Sequence, residues 1–217
     1  MSIVLAVESA TANCAASLIV NDKAYTCAEF APQQHAQLIL PMVDKVMQQA
    51  GIEPAQIEAL VFGEGPGAFT GLRIAAGVVQ GLALGWNKPV LAISSLKALA
   101  YQAYEATGKT TWWACLDARM GEIYVQSCEF DPQHAKMTAK PPKLVKPDDF
   151  KAFAAGLNGV GDIAETYPEL VACFANWVKA VPQAEALARL ALSEVGQSRY
   201  LADFIPQPVY LRPSVSS

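Results

Sequence analysis

The stretch Gly63-Glu64-Gly65-Pro66-Gly67-Ala68-Phe69-Thr70-Gly71-Leu72-Arg73 separates two apolar elements and sets the reading of the chain. Before it, Gln56 or Ile57 to Phe62 reads as a buried strand. After it, Gly71 to about Gly85 reads as a helix. Gly63-x-Gly65-x-x-Ala68 matches a dinucleotide fingerprint, in which glycines let the backbone approach a pyrophosphate at a helix N-terminus. Two features count against a nucleotide there. The next strand, Val90–Ser94, is followed by Ser95 and Leu96 rather than by a ribose-binding acid, and Pro66 removes one N–H from the cradle. A Walker-type Gly-Lys-Ser/Thr is absent. The plainer reading is a tight connection that glycine makes accessible.

Working outward, Ile3–Glu8, Cys14–Val20 and Ala24–Phe30 read as three antiparallel strands, the last two joined by Asn21-Asp22-Lys23. His35 to Ala50 has apolar residues at helical spacing, ends at Gly51 and contains Pro41, which predicts a kink. A helix over about Leu96–Thr107 follows the Val90–Ser94 strand. Strands at Thr111–Leu116 and Glu122–Phe130 are joined by Asp117-Ala-Arg119-Met-Gly121. Residues 131–147, rich in Pro and Lys, read as a solvated linker. A short helix near Asp148–Ala155, a strand at Leu157–Val160 and an amphipathic helix at Gln183–Val195 complete the order. Hairpin strands followed by alternating helix and strand predict an α/β protein with mixed sheets flanked by helices. The second half loosely echoes the first.

The chain has 217 residues, enough for one large domain or two small ones and for a core without disulfide or metal staples. With 53% hydrophobic and 17% charged residues it is not a disordered chain. A net charge of −4 argues against a protein that grips nucleic acid alone. The N-terminal apolar run stops at Glu8, too short for a signal peptide, and Ile74–Trp86 falls short of the ~20 residues of a spanning helix. Five cysteines without a CxxC pair predict free thiols in a reducing cytoplasm.

His35 and His134 are the only histidines. His35 reads as a helix-start residue and His134 as an exposed linker residue. Ser9, Ser94 and Ser95 lack the GxSxG frame of a hydrolase, and no HExxH is present for a zinc peptidase. Glu8 reads as a turn residue at the end of the first strand, and Asp117 with Arg119 as a local ion pair or turn cap. Gly77, Gly81 and Gly85 fall at every fourth position of one helix. Each costs about 1 kcal/mol against alanine, which predicts a packing purpose for their common face, within the fold or between subunits.

These residues carry a family resemblance. Gly65-Pro-Gly67-Ala-Phe-Thr-Gly71-Leu-Arg73, Gly81-Leu-Ala-Leu-Gly85 and Ile93-Ser-Ser-Leu resemble the TsaB (YeaZ) family. Leu5-Ala-Val-Glu-Ser9, His35 with Leu40-Pro41, Asp117-Ala-Arg119-Met-Gly121-Glu-Ile-Tyr124 and Tyr210-Leu-Arg212 agree with it. The likeness runs from residue 3 to 212 and is specific through residue 124. It implies the two-lobed acetate-and-sugar-kinase/Hsp70/actin-like (ribonuclease H-like) fold. The first lobe would span residues 1–108, rejoined by about 183–217, and the second, smaller lobe 109–182.

The family serves threonylcarbamoyladenosine formation at adenosine 37 of tRNAs that read codons starting with A. Its relative TsaD, the transferase, carries a metal-binding His-x-x-x-His. Here Ser95 and Leu99 stand at those places, and leucine cannot ligate. The resemblance therefore implies a non-catalytic protein without metal or cofactor. It would pair with TsaD, engage the ATPase TsaE with it, meet tRNA indirectly, and form a homodimer or a heterodimer. The implied pairing surface comprises His35, Leu38, Ile39, Met42, Arg73, Gly77, Gln80, Gly81 and Leu84. Glu8, Gly65, Gly67, Thr70, Asp117 and Arg119 are the candidates for a vestigial nucleotide cleft. A small-molecule kinase or ATPase of the same fold is the alternative, and a glycoprotease-like peptidase is less well supported.

Overall fold

The computed structural model describes residues 2–212; the end of the expected rejoining segment, beyond Arg212, lies outside them. The first sheet holds β1 (Ile3–Glu8), β2 (Asn13–Val20), β3 (Lys23–Phe30), β4 (Ala59–Gly63) and β5 (Val90–Ile93), in the order β3-β2-β1-β4-β5. The first three strands are antiparallel, and β1, β4 and β5 are parallel. Asn21 and Asp22 both adopt positive φ, the backbone a two-residue hairpin turn needs. The second sheet holds β6 (Thr111–Arg119), β7 (Glu122–Asp131), β8 (Lys136–Ala139), β10 (Asn158–Gly161) and β11 (Asn176–Lys179), with β9 (Lys143–Val145) also paired to β7. Its order, β8-β7-β6-β10-β11, repeats that of the first sheet strand for strand. The echo between the halves is therefore a shared topology, and the two-lobed α/β fold expected from the sequence is present.

Among the described residues, six helices flank and separate the sheets: α1 (His35–Ala50), α2 (Phe69–Trp86), α3 (Ser95–Thr107), α4 (Pro147–Ala154), α5 (Pro168–Val171) and α6 (Ala184–Leu192). Alternation along β1 shows the layering. Ile3, Leu5 and Val7 pack in one core with Ile39, Val43 and Val46 of α1 and Ala75 and Val79 of α2. Val4 and Ala6 face the opposite core, with Leu96 and Leu99 of α3 and Leu187 and Leu190 of α6. That second core continues into Trp112, Leu116 and Phe130 of the other sheet, so α3 and α6 are sandwiched between the two sheets. Both faces of β1 are covered, and all six of its residues are buried. A third core lies beyond the second sheet, where Phe150 of α4 and Leu170 of α5 meet Ile123 and Val125.

Several sequence expectations need correction. The linker at 131–147 contains β8 and β9: Met137 is buried while Lys136 and Thr138 are exposed, a two-residue alternation masked by the prolines. The short α5 and the edge strand β11 carry too little periodicity to be read. The last helix is shorter than expected, ending at Leu192 before a separate 3-10 turn at Val195–Gln197. The helix after the glycine loop starts two residues earlier, at Phe69. Helix α1 has the expected bounds, with Pro41 inside it and Gly51 at its end.

Candidate functional site

The cleft candidates converge on the end of β1, and the structure shows what holds them. Glu8 is not a turn residue at the surface: it is 1% exposed. One carboxylate oxygen accepts the Ala10 N–H at 2.6 Å and the other accepts the Ser95 hydroxyl at 2.8 Å. Ser95 is itself fully buried at the start of α3, as is Leu99 one turn on. The adjacent Ser94 caps α3, accepting from the Leu96 N–H, and donates to Gln126 Oε1 at 2.7 Å. Gln126 in turn donates to the Lys140 carbonyl. Paired hydrogen bonds thus tie the first lobe to itself through Glu8 and Ser95, and to the second lobe through Ser94 and Gln126. Gln126 was missed from the sequence because an isolated glutamine on a strand carries no motif.

The glycine loop is likewise engaged within the protein. Glu64 N–H donates to Ile93 O, Ala68 N–H to Ala10 O, and Ser95 N–H to Gly65 O. A side chain at Gly67 would meet Ala10 Cβ at 2.7 Å. The glycines admit the Ser9–Ala10 backbone, which supports the tight-connection reading. Thr70 is exposed at the start of α2. Asp117 accepts the Arg119 N–H at 2.8 Å and pairs with its guanidinium at 3.2 Å, the expected turn cap, while its own N–H donates to Asp162. Glu8 and Asp117 each have their hydrogen-bond partners within their own lobe. Among the described residues, no group of three His, Cys, Asp or Glu side chains comes together.

Burial pushes the Glu8 carboxyl up from the usual 4.5 to about 7, against the opposing pull of the Ala10 amide, the Ser95 hydroxyl and the Ser9 amide. A raised acid pKa means that the folded state holds the proton more tightly. This contribution is fully favourable below about pH 4.5 and is lost as pH rises through about 7. Glu8→Gln keeps the shape and the neutral state. Its stability relative to wild type, from urea unfolding, is expected to increase by roughly 2–3 kcal/mol between pH 5 and pH 8. A gap independent of pH would contradict the buried, proton-binding carboxyl.

The other candidate is the outer face of α1 and α2. Cβ atoms placed on Gly77, Gly81 or Gly85 would meet nothing within 4 Å, so the glycine stripe is covered by no part of the described chain. Leu84 is 77% and Leu40 48% exposed beside it. A groove of about 560 Å³ lies at one end, between Leu40, Val43 and Met47 of α1 and Leu82 and Trp86 of α2. Three members of the expected surface lie beneath it. Ile39 and Met42 pack in the core, and His35 is buried with Nε2–H donating to the Thr11 carbonyl at 2.8 Å. Their spacing marked the helix correctly but not which side of it faces out. Leu38 and Gln80 are half-buried.

At the opposite end a C-terminal strap crosses from α2 to the second lobe. Gln80 donates to Pro206 O, Val209 N–H to Glu64 O, Arg73 Nε to the Tyr210 hydroxyl, and Arg212 to Glu122 at 2.6 Å. Arg73, Glu122, Tyr210 and Arg212 stand in stretches that carry the family resemblance, but their mutual contacts left no mark in the sequence.

Comparison with known proteins decides the family. The chain is 32% identical over 221 aligned residues, 98% of this chain and 96% of the other, to the tRNA threonylcarbamoyladenosine biosynthesis protein TsaB of Escherichia coli. The chain belongs to the TsaB (YeaZ) family. Within it, the Haemophilus influenzae TsaB is 41% identical over 120 residues, about half of each chain. Among solved structures, YeaZ from Pseudomonas aeruginosa superposes with a TM-score of 0.85 at 34% identity, covering 97% of this chain and all of the other. Residues 26–164 also match the family model of TsaD, tRNA N6-adenosine threonylcarbamoyltransferase. A Burkholderia vietnamiensis transferase is 39% identical over 69 residues, 20% of its length. This chain and the transferase family thus share a segment that includes α1, the glycine loop, α2 and α3.

Proposed function

We propose that this TsaB-family protein is the non-catalytic partner in threonylcarbamoyl transfer to adenosine 37 of tRNAs reading codons that start with A. It pairs with the TsaD transferase through the α1–α2 face, and the pair engages the TsaE ATPase and tRNA. The observation that carries this reading is the uncovered glycine stripe beside Leu40 and Leu84. An 18-residue helix with three open glycines gains from them only if another helix packs closely there. The transferase model matches across α1 and α2, so the partner brings a related helix pair, and two related faces can pair about a pseudo-two-fold axis. Without the partner, a second copy can take the same face.

The buried Ser95 and Leu99 and the hydrogen-bonded Glu8 support a supporting rather than a chemical role for this chain. Activation is then population shift: a subunit that binds the competent transferase conformer more tightly raises its share. Five free cysteines and the lack, among the described residues, of any helix long and apolar enough to cross a membrane fit work in the cytoplasm. Mixing the purified protein with the transferase and measuring the mass of the product tests the pairing. A heterodimer is expected. Two separate species would contradict it, and tight Mg-ATP binding by this chain alone would favour a kinase or ATPase instead.

A further inference from the structure

The stripe on α2 is not uniform along its length. Arg73, Gly77, Gly81 and Gly85 recur every four residues and share one face, and Arg73 is the only charged residue in α2. Its guanidinium carbon sits 3.8 Å from the centroid of the Phe69 ring, and its Nε donates to the strap's Tyr210 hydroxyl at 3.0 Å. Phe69 and Tyr210 pack against each other with centroids 5.1 Å apart. Arg73 is exposed and makes no ion pair with an acid among the described residues. With Nε occupied and one face on an aromatic ring, its two Nη amines form a fixed planar fork, which matches a carboxylate. Ordering the side chain beforehand lowers the entropy lost on pairing. The far end of the stripe is the apolar groove between Leu40, Met47, Leu82 and Trp86.

We propose that Arg73 is the charge anchor of this face. It takes a carboxylate from a transferase helix lying along Gly77, Gly81 and Gly85, while the groove takes an apolar side chain from the helix's other end. The two ends fix the direction in which the helix docks, and Tyr210 positions the anchor. This rests on the transferase pairing proposed above. The occupant is a related chain rather than a second copy. The transferase family model matches this chain across α1 and α2, which makes a transferase helix the occupant, whereas the α2 of a second copy carries no carboxylate to meet Arg73.

Dissociation constants for the full chain and purified transferase, at low and high salt, test the anchor. Folding of each variant is checked by thermal unfolding. Arg73→Glu is expected to weaken pairing by roughly a hundredfold and Arg73→Ala by roughly tenfold, with flatter salt dependence in both. Arg73→Lys, which keeps the charge but not the fork, falls between wild type and alanine. Tyr210→Phe weakens pairing by a few-fold and retains the salt dependence. Leu84→Glu serves as the control for the face itself. If Leu84→Glu abolishes pairing while Arg73→Glu changes neither affinity nor salt slope, the anchor is wrong and the docking face stands. If neither variant matters, the docking face is wrong and the anchor falls with it. Equal loss of self-association and transferase pairing in Arg73→Glu would overturn the choice of occupant.

Discussion

Gly81→Leu is expected to weaken association with the transferase by about a hundredfold or more while leaving the fold as stable as wild type or slightly more so. The two halves of that expectation have separate causes. Gly81 is exposed on α2, and an added Cβ has open space around it, so the monomer accommodates the side chain. In an exposed helix interior, replacing glycine by a strong helix former contributes up to about 1 kcal/mol. In the complex, the same side chain stands where a partner helix must approach. Overpacking a close helix contact costs about 1–3 kcal/mol, and separating the helices forfeits the neighbouring contacts as well. Light scattering or titration calorimetry against the transferase, with thermal unfolding alongside, measures both halves. A folded Gly81→Leu protein that pairs as well as wild type would remove the glycine stripe from the interface.

Gly63→Ala is expected to destabilise the protein by roughly 3 kcal/mol or more, for a reason confined to the closed cleft. A Cβ at this position runs into the Glu8 carboxylate, falling 2.7 Å from its Cδ and 2.8 Å from Ser95 Oγ. The carboxylate is the end of a flexible chain, but it has nowhere to go. Moving it breaks the bonds from Ala10 N–H and the Ser95 hydroxyl in a site closed to water. A double-mutant cycle separates this mechanism from a general dislike of side chains at the end of β4. In a Glu8→Ala background the nearest clash partner is gone and the Ser95 hydroxyl, released from Glu8, can rotate away, so adding Gly63→Ala should cost much less than in the wild type. Additive losses in urea unfolding would place the strain elsewhere.

Glu8 also shows how far the sequence could be read. The strands of the first sheet were legible because their apolar runs are bounded by Asn21-Asp22 and by glycines, and α1 because its apolar residues recur at helical spacing. Periodicity reports which residues share a face, but α1 carries Ile39 and Leu40 side by side, one in the core and the other 48% exposed. Only the packing of α1 on β2 and β3 settles which turns outward. The Glu8–Ser95 contact joins residues 87 apart, and the Ser94–Gln126 contact joins residues 32 apart, across two lobes. No local pattern encodes such pairs. The family resemblance marked Ser95 and Leu99 as replacements, and the structure adds what Ser95 does instead, which is to hold a buried carboxyl. At residues 136–145 prolines and lysines hid two short strands whose partner, β7, supplies most of their order.

The central claim is that this chain supplies no chemistry of its own and makes the transferase competent. The most direct measurement is the multiple-turnover rate of threonylcarbamoyl transfer to tRNA by purified transferase and ATPase, with this protein present or absent. The account predicts sustained turnover only when it is present, and loss of that turnover with Gly81→Leu. Equal rates with and without the protein would contradict it.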